Sequence, residues 1–265
     1  VRLIKESNWK SLTLKEKLVI NAKYLDETDA YYSDKLRVKK FVEDLKIPEL
    51  WVLPTIKVLT TEDNLDLNAL PNDCIIKSNN GCGDLIIIKN RTIDYVSLRA
   101  NKIPTKDFNW QTWKFRANTP HVTSTETHYG LIKPEVFAEE LLPCHPKAPE
   151  DYKFFCFHGD AKFSHVDFNR HVEHTRNFYD RDANLLDVTL TYKQYDTKIN
   201  KSNYLKMMRV AEKLSSAIEK EFVRVDLYEV NDKIYFGEYT FVPDAGYGFL
   251  PNPPKFNEEA GDYWR

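Results

Sequence analysis

Asp226 and Glu238 stand in apolar company, in Val223-Arg224-Val225-Asp226-Leu227-Tyr228 and Phe236-Gly237-Glu238-Tyr239-Thr240. Acidic side chains rarely keep such neighbours unless they are paired or hold a metal. Both segments alternate as strands, and Asn231-Asp232 between them marks a hairpin. If Val230 pairs with Ile234 around a three-residue loop, Asp226 faces Glu238 directly. Arg224 and Thr240 then share that face by the period of two. Two carboxylates so close repel, and Mg²⁺ bridging to nucleotide phosphates relieves the repulsion. A solvated hairpin face with an Arg–Glu pair accounts for the same residues.

Lys77 closes a second apolar run, Cys74-Ile75-Ile76-Lys77, followed by Ser78-Asn79-Asn80-Gly81-Cys82-Gly83-Asp84 and then Leu85–Lys89. Backbone N–H groups of a glycine turn point at phosphate oxygens, and a lysine at its mouth adds charge. The turn is no P-loop, because GxxxxGK[ST] is absent and no helix follows directly. An ordinary hairpin with a snorkelling lysine is the plainer account. A third stretch, Phe137-Ala138-Glu139-Glu140-Leu141-Leu142, precedes Asp151-Tyr152-Lys153. A strand end of this kind can read an adenine edge through its backbone, with a nearby acid on a ribose hydroxyl. An amphipathic edge strand fits as well. His171-Val172-Glu173-His174 is the tightest histidine pair and reads as polar surface rather than a zinc site. HExxH and GxSxG are missing, so zincin and α/β-hydrolase chemistry have no support. Cys82 has no assignable histidine partner for nucleophilic work.

The elements that must position these residues are short. Thr13-Leu14-Lys15-Glu16 is a capping box opening a helix through Ala22. Ser33 is expected to cap a second helix that carries Leu36, Phe41, Val42 and Leu45 inward and ends before Pro48. Strands are expected over Ile56–Leu59, Cys74–Lys77, Leu85–Lys89 and Glu135–Leu142. A hairpin of Tyr152–Phe157 and Lys162–Phe168 turns at His158-Gly159-Asp160. Residues 90–130 read as irregular, with a short helix around Trp110 and Trp113. Cys144-His145-Pro146-Lys147-Ala148-Pro149 reads as a loop. Ser202 is expected to cap a long helix reaching about Glu221, and Val223–Val230 with Lys233–Val242 form the last hairpin. The tail Asp244–Arg265 reads as a loop wall. Helices, hairpins, a long helix and another hairpin make an α+β order, not βαβ alternation.

Composition narrows the field. At 265 residues the chain is long enough for one or two domains and a core without staples. The formal net charge of −2 argues against a general nucleic-acid binder. No apolar run approaches the roughly 20 residues of a membrane span. The four cysteines lie apart with no CxxC pair, which suits reduced thiols in the cytoplasm. Only 8 residues are glycine, and four of them sit in the pairs Gly81/Gly83 and Gly246/Gly248, which points to special backbone geometry there. The first residue is Val and no signal peptide is seen, so a preceding domain is an open expectation.

Taken in order, Tyr32–Val38, Leu70–Gly83, Lys133–Glu140, Asp151–Gly159, Val223–Tyr228 and Tyr235–Phe241 resemble the ATP-grasp superfamily, and within it the TupA-like branch found in surface-polysaccharide gene clusters. The resemblance covers roughly residues 30–250. It implies an α+β ATP-grasp fold, two small lobes with antiparallel sheets clamping ATP. Residues 1–48 would be an N-terminal helical segment leading into the nucleotide site. Residues 49–135 would be a small lobe with the glycine-rich phosphate loop. Residues 136–265 would be a large lobe with hinge, metal-binding hairpin and acceptor-side tail. By the same resemblance Lys35 and Lys77 are the two nucleotide lysines, and Gly81 and Gly83 shape the closing loop. Glu139, Glu140 and Leu142 form the adenine hinge. Asp151 touches the ribose or a nearby nucleotide atom, and Lys153 a phosphate. Asp226 and Glu238 bind Mg²⁺. The third metal position, commonly Asn in the superfamily, is Thr240 here, and the branch often has His where this chain has Asn80.

The implied activity is an ATP-dependent carboxylate–amine ligase working through an acyl phosphate. Lys77, Arg170 and Arg224 are its catalytic candidates, the two arginines because their forks match carboxylate and phosphate. A uronic-acid carboxylate on a surface glycan and a small amine or amino acid are the expected partners. No nucleic acid or membrane span is expected, and a glycosyltransferase domain is a conceivable fused or associated companion. A kinase acting on a glycan or small-molecule hydroxyl is the alternative. A non-catalytic glycan-binding module and a glycosyltransferase are further alternatives. The tail aromatics Phe241, Tyr247, Phe249, Phe256, Tyr263 and Trp264 suit either sugar stacking or a packed cap.

Overall fold

A computed structural model describes residues 8–60, 64–120, 122–142, 148–170 and 172–265. Its helices are α1 (Leu14–Ala22), α2 (Glu27–Ser33), α3 (Val38–Asp44), α4 (Trp110–Ala117), α5 (Lys201–Ala217) and α6 (Lys255–Asp262). Its strands are β1 (Leu50–Trp51), β2 (Thr55–Leu59), β3 (Cys74–Ser78), β4 (Leu85–Lys89), β5 (Thr92–Leu98), β6 (Asn101–Lys102), β7 (Val136–Glu140), β8 (Asp151–Phe157), β9 (Asp160–Phe168), β10 (Thr175–Asp180), β11 (Leu185–Leu186), β12 (Phe222–Val230) and β13 (Lys233–Thr240). The chain divides into two compact units. Unit 1 is Val1–Tyr24, Val42–Trp51 and Cys144–Arg265, and unit 2 is Leu25–Phe41 and Val52–Pro143.

Unit 1 is built on a seven-stranded sheet in the order β1-β13-β12-β8-β9-β10-β11. Neighbours are antiparallel except the β1–β13 pair. Period two gives the sheet two different faces. One face lies under α5: Ser164 and Tyr204 share a 2.8 Å hydroxyl bond, and the Tyr239 hydroxyl donates to the Leu214 carbonyl at 3.1 Å. The other face is divided along its length. Its apolar end presents Phe155, Phe157, Phe163, Phe178 and Phe222, packed with Leu14, Leu18, Phe249, Phe256 and Trp264. Its far end presents the charged residues of the candidate site.

The tail is therefore core and not a loop wall. Phe256, Ala260 and Trp264 fall at helical spacing on and just after α6 and are buried, while Tyr247 and Tyr263 stay exposed. The buried Lys17 ammonium donates to the Gly261 and Trp264 carbonyls at 2.8 Å each, fastening α1 to α6. The Thr13 capping box forms as expected. Asn200, not Ser202, caps α5, which stops at Ala217. β10 was not expected from the sequence.

Unit 2 holds a six-stranded antiparallel sheet in the order β2-β7-β3-β4-β5-β6. Ile76, Ile86, Ile88, Val96 and Ala138 bury one side, with Trp113 of α4 on them. The Trp113 indole donates to the Ser97 carbonyl at 2.8 Å. β5 falls inside the stretch read as irregular. Ser33 ends α2 rather than capping the next helix, and the Asp34 carboxylate instead accepts the Leu36 and Arg37 amides ahead of α3. Of the stretch 144–149 expected as a loop, residues 144–147 lie outside the described residues, as does His171.

Candidate active site

In unit 1, β12 and β13 bring Asp226 directly opposite Glu238 and Arg224 opposite Thr240. The turn is tighter than expected, with Val230 opposite Lys233, and left alone it would set Asp226 against Gly237 and turn Glu238 to the α5 face. A bulge intervenes: Leu227 pairs with Phe236 and Asp226 with Glu238, so Gly237 is the extra residue on β13. Glycine is required there, since a Cβ would stand 2.8 Å from the Asp226 carbonyl oxygen. The expected juxtaposition thus forms by a different route.

The Asp226 carboxylate is buried. It accepts Nε and Nη2 of Arg224 at 2.7 Å each and Nζ of Lys153 at 2.6 Å. Burial raises its pKa above the ordinary value, and Arg224 and Lys153 pull against that rise. Burial also works against the Arg224 charge, yet Asp226 holds that guanidinium above its usual pKa. Arg224 also donates to the Thr240 hydroxyl at 3.1 Å and lies 3.9 Å from Glu238. Asp151 is fully buried, 2.7 Å from Lys153 through Oδ2, and takes a hydrogen bond from Arg170 on the same oxygen. Its Oδ1 has no hydrogen-bond partner among the described residues. The structure therefore gathers Asp151, Lys153, Arg170, Arg224, Asp226, Glu238 and Thr240 on one end of one sheet face.

Sequence reasoning missed the continuation of that face. Arg176 on β10 forks onto Asp167 on β9, with Nε at 2.6 Å and Nη2 at 3.1 Å, and His174 Nε2 lies 3.2 Å from the same carboxylate. Burial works to raise Asp167, but His174 and Arg176 override it and hold the carboxyl well below its ordinary range. His165, opposite Lys153, is fully buried, and burial drives its pKa far down, so the ring is neutral.

In unit 2, Lys77 on β3 and Glu139 on β7 form an ion pair. Lys39 on α3, absent from the sequence-based set, takes the other Glu139 oxygen at 2.6 Å. Lys35 donates to the Gly81 carbonyl at 2.5 Å, which ties the first expected lysine to the glycine loop. That loop is anchored at both sides. Asn79 donates to Asp34 and to the Lys133 carbonyl at 3.0 Å each, and accepts the Glu135 amide at 2.8 Å. Gly83 has φ +77°, and a Cβ there would lie 2.2 Å from the Ala100 nitrogen. Its carbonyl accepts Ala100 N–H at 3.1 Å and the Ser97 hydroxyl at 2.6 Å. Glu140 is exposed at the end of β7 and Leu142 is buried just beyond it.

The donor set for a divalent cation is two carboxylates on facing strands. Among the described residues no group of three His, Cys, Asp or Glu converges. This fits a cation that takes one or two carboxylates and completes its shell with phosphate and water oxygens, as Mg²⁺ does in nucleotide sites. Asp226 and Glu238 would hold it, Asp226 alongside the Arg224 and Lys153 hydrogen bonds that it already accepts. Thr240 would offer at most a neutral oxygen, already engaged by Arg224.

The TupA-like ATPgrasp family profile matches residues 13–265. The chain belongs to this family. The TupA-like ATP-grasp chain is also similar in structure to D-alanine–D-alanine ligase from Bacillus anthracis: 16% identity, 88% of this chain and 63% of that one, TM-score 0.47. D-Alanine-D-alanine ligase from Helicobacter pylori gives 14% identity, 89% and 62% coverage, and TM-score 0.46. The ATP-grasp ligase PsnB, complexed with minimal precursor, Mg and ADP, gives 13%, 90% and 60%, and 0.40. The chain spans about three fifths of the length of these ligases. No curated protein matches it. Among the described residues no helix is long and apolar enough to cross a membrane.

Proposed function

We propose that this TupA-like ATP-grasp chain is an ATP-dependent carboxylate–amine ligase, amidating a uronic-acid carboxylate during surface-polysaccharide synthesis. The observation that carries the reading is the buried Arg224–Asp226–Lys153 cluster facing Glu238. Such a cluster presents fixed charge where a phosphoryl group in transfer needs it.

In the proposed reaction an acceptor carboxylate oxygen attacks the γ-phosphorus of ATP, and the bond to the β-phosphate oxygen breaks to release ADP. The amine then attacks the acyl carbon, inorganic phosphate leaves, and the amine gives up a proton. Asp226 and Glu238 would hold Mg²⁺, which when bound would neutralise phosphate charge. Arg224, aligned by Asp226, directs its remaining N–H groups at the transferring phosphoryl oxygens. Arg170, whose side chain is 42% exposed and anchored on Asp151, offers a fork for the acceptor carboxylate. Lys35, Lys77 and the Gly81–Gly83 loop are the nucleotide-phosphate contacts that the family resemblance implies for unit 2.

The test is ADP release with MgATP, a panel of uronic-acid glycosides, and hydroxylamine as the trapping amine. Acceptor-dependent ADP with a hydroxamate product is expected. A phosphate ester without hydroxamate would make the chain a kinase instead.

A further inference from the structure

Resting on the nucleotide reading above, we infer that Lys39 is a positioning residue: it holds the Glu139 carboxylate so that Lys77 can leave it for a nucleotide phosphate. The two lysines reach Glu139 in different ways. Lys39 has three oxygens for its three N–H bonds: the Leu53 carbonyl at 2.8 Å, the Thr55 hydroxyl at 3.0 Å and Glu139 Oε2 at 2.6 Å. Its ammonium also lies 5.1 Å from the Phe137 ring centre. An ammonium with every donor spent on fixed oxygens, two of them on β2 or the segment leading into it, has no spare reach.

Lys77 differs. Its polar contact is Glu139 Oε1, its ammonium stands 5.6 Å from the same Phe137 ring, and its side chain is 22% exposed against 12% for Lys39. It keeps donors in hand and an open side. Glu139 is 4% exposed, so its charge always needs a partner. With Lys39 in place, that partner remains when Lys77 moves. Without Lys39, Lys77 is the last counter-charge of a buried carboxylate and is trapped by it. Lys39 thus sets phosphate affinity without touching phosphate.

Binding of MgATP and of adenosine to the whole chain, measured by calorimetry, tests this. The variants are Lys39→Met, Lys39→Arg, Glu139→Gln and the Lys39→Met/Glu139→Gln double. K39M is expected to weaken MgATP at least about tenfold and adenosine less than about twofold, and K39R to stay within about threefold of wild type. The double variant, with no carboxylate left to hold Lys77, is expected within about threefold of E139Q alone, a coupling that independent sites do not show. Should K39M not fold, Lys39→Gln keeps a donor for Leu53 and replaces it. Equal loss of adenosine and MgATP, or no recovery in the double, overturns the role of Lys39 while the nucleotide reading stands. A wild-type chain that binds no MgATP overturns both.

Discussion

The charged end of the unit 1 sheet and the lysine cluster of unit 2 solve opposite electrostatic problems. In unit 1 the buried carboxylates are each met by cations: Asp226 by Arg224 and Lys153, Asp151 by the same Lys153 and by Arg170, and Asp167 by Arg176. With Glu238 beside Arg224, four acids stand among four cations in a locked geometry, which suits groups that must stand ready where charge develops. In unit 2, Lys39 and Lys77 share the single acid Glu139, and Lys35 rests on a carbonyl. Two ammonium groups gathered at one carboxylate suit the binding of a polyanion. Unit 1 variants should therefore alter turnover, and unit 2 variants nucleotide affinity.

The largest effect is expected from Asp226→Asn. Acceptor-dependent ADP release should fall by about 10³-fold or more, the scale of losing a principal charge contact in phosphoryl transfer. The melting temperature should fall too, because Arg224 and Lys153 lose a buried partner. Glu238→Gln, at a side chain one quarter exposed (25%), should lose turnover by about 10²-fold with little change in melting. Full activity in either variant would end the metal assignment.

Lys77→Met sharpens the contrast from the other side. MgATP affinity should drop about tenfold, about 1.4 kcal/mol, with the unit 1 core unaffected. If K77M instead spared affinity and abolished turnover, the division of labour would be wrong.

Acid provides a milder probe. Burial pushes the His128 pKa down to about 4, against 6.5 in the unfolded chain. The unfolded state therefore takes up a proton first. Stability is full above about pH 6.5 and declines toward pH 4, by an amount approaching about 3 kcal/mol. In urea melts between pH 7 and 4.5, wild type should lose stability as the pH falls and His128→Phe should lose less, and equal slopes would exclude His128 as the source. His165 adds a loss of the same sign in unit 1.

The smallest effect is chemical. Cys82 is exposed in the glycine loop, Cys74 is buried with its thiol pushed up to about 11, and Cys156 is buried and raised further. Iodoacetamide should mark Cys82 ahead of those two, and MgATP should slow it. Labelling of Cys82 at the same rate with and without MgATP would count against loop closure over phosphate.

Local signals in the chain announced some of this and concealed the rest. The hairpins at 151–168 and 222–240 were visible because alternation and turn residues are contiguous. β10 was hidden because Arg176 and Asn177 look like surface yet are buried, one on Asp167 and the other on Tyr195 and Tyr179. α6 had a readable start at Pro253-Pro254 and spacing at Phe256, Ala260 and Trp264, but the density of Gly, Pro and aromatics masked it. Lys39 was invisible because Glu139 is far off in sequence and only the packing of α3 near β7 joins them. The pairing of Asp226 with Glu238 was foreseen, but not the bulge that makes it.

That bulge divides β13 into two half-strands that are out of phase. Before Gly237, odd and even positions take one assignment of faces; after it they take the other. Pairing the two strands without a bulge, around a three-residue turn with Val230 opposite Ile234, would keep Asp226 opposite Glu238 but send Ile234 and Phe236 to the wrong side. A single supernumerary residue thus lets one strand obey two reading frames, one set by packing and one by chemistry. An insertion or deletion anywhere from Lys233 to Phe236 should be felt as a frameshift in three dimensions.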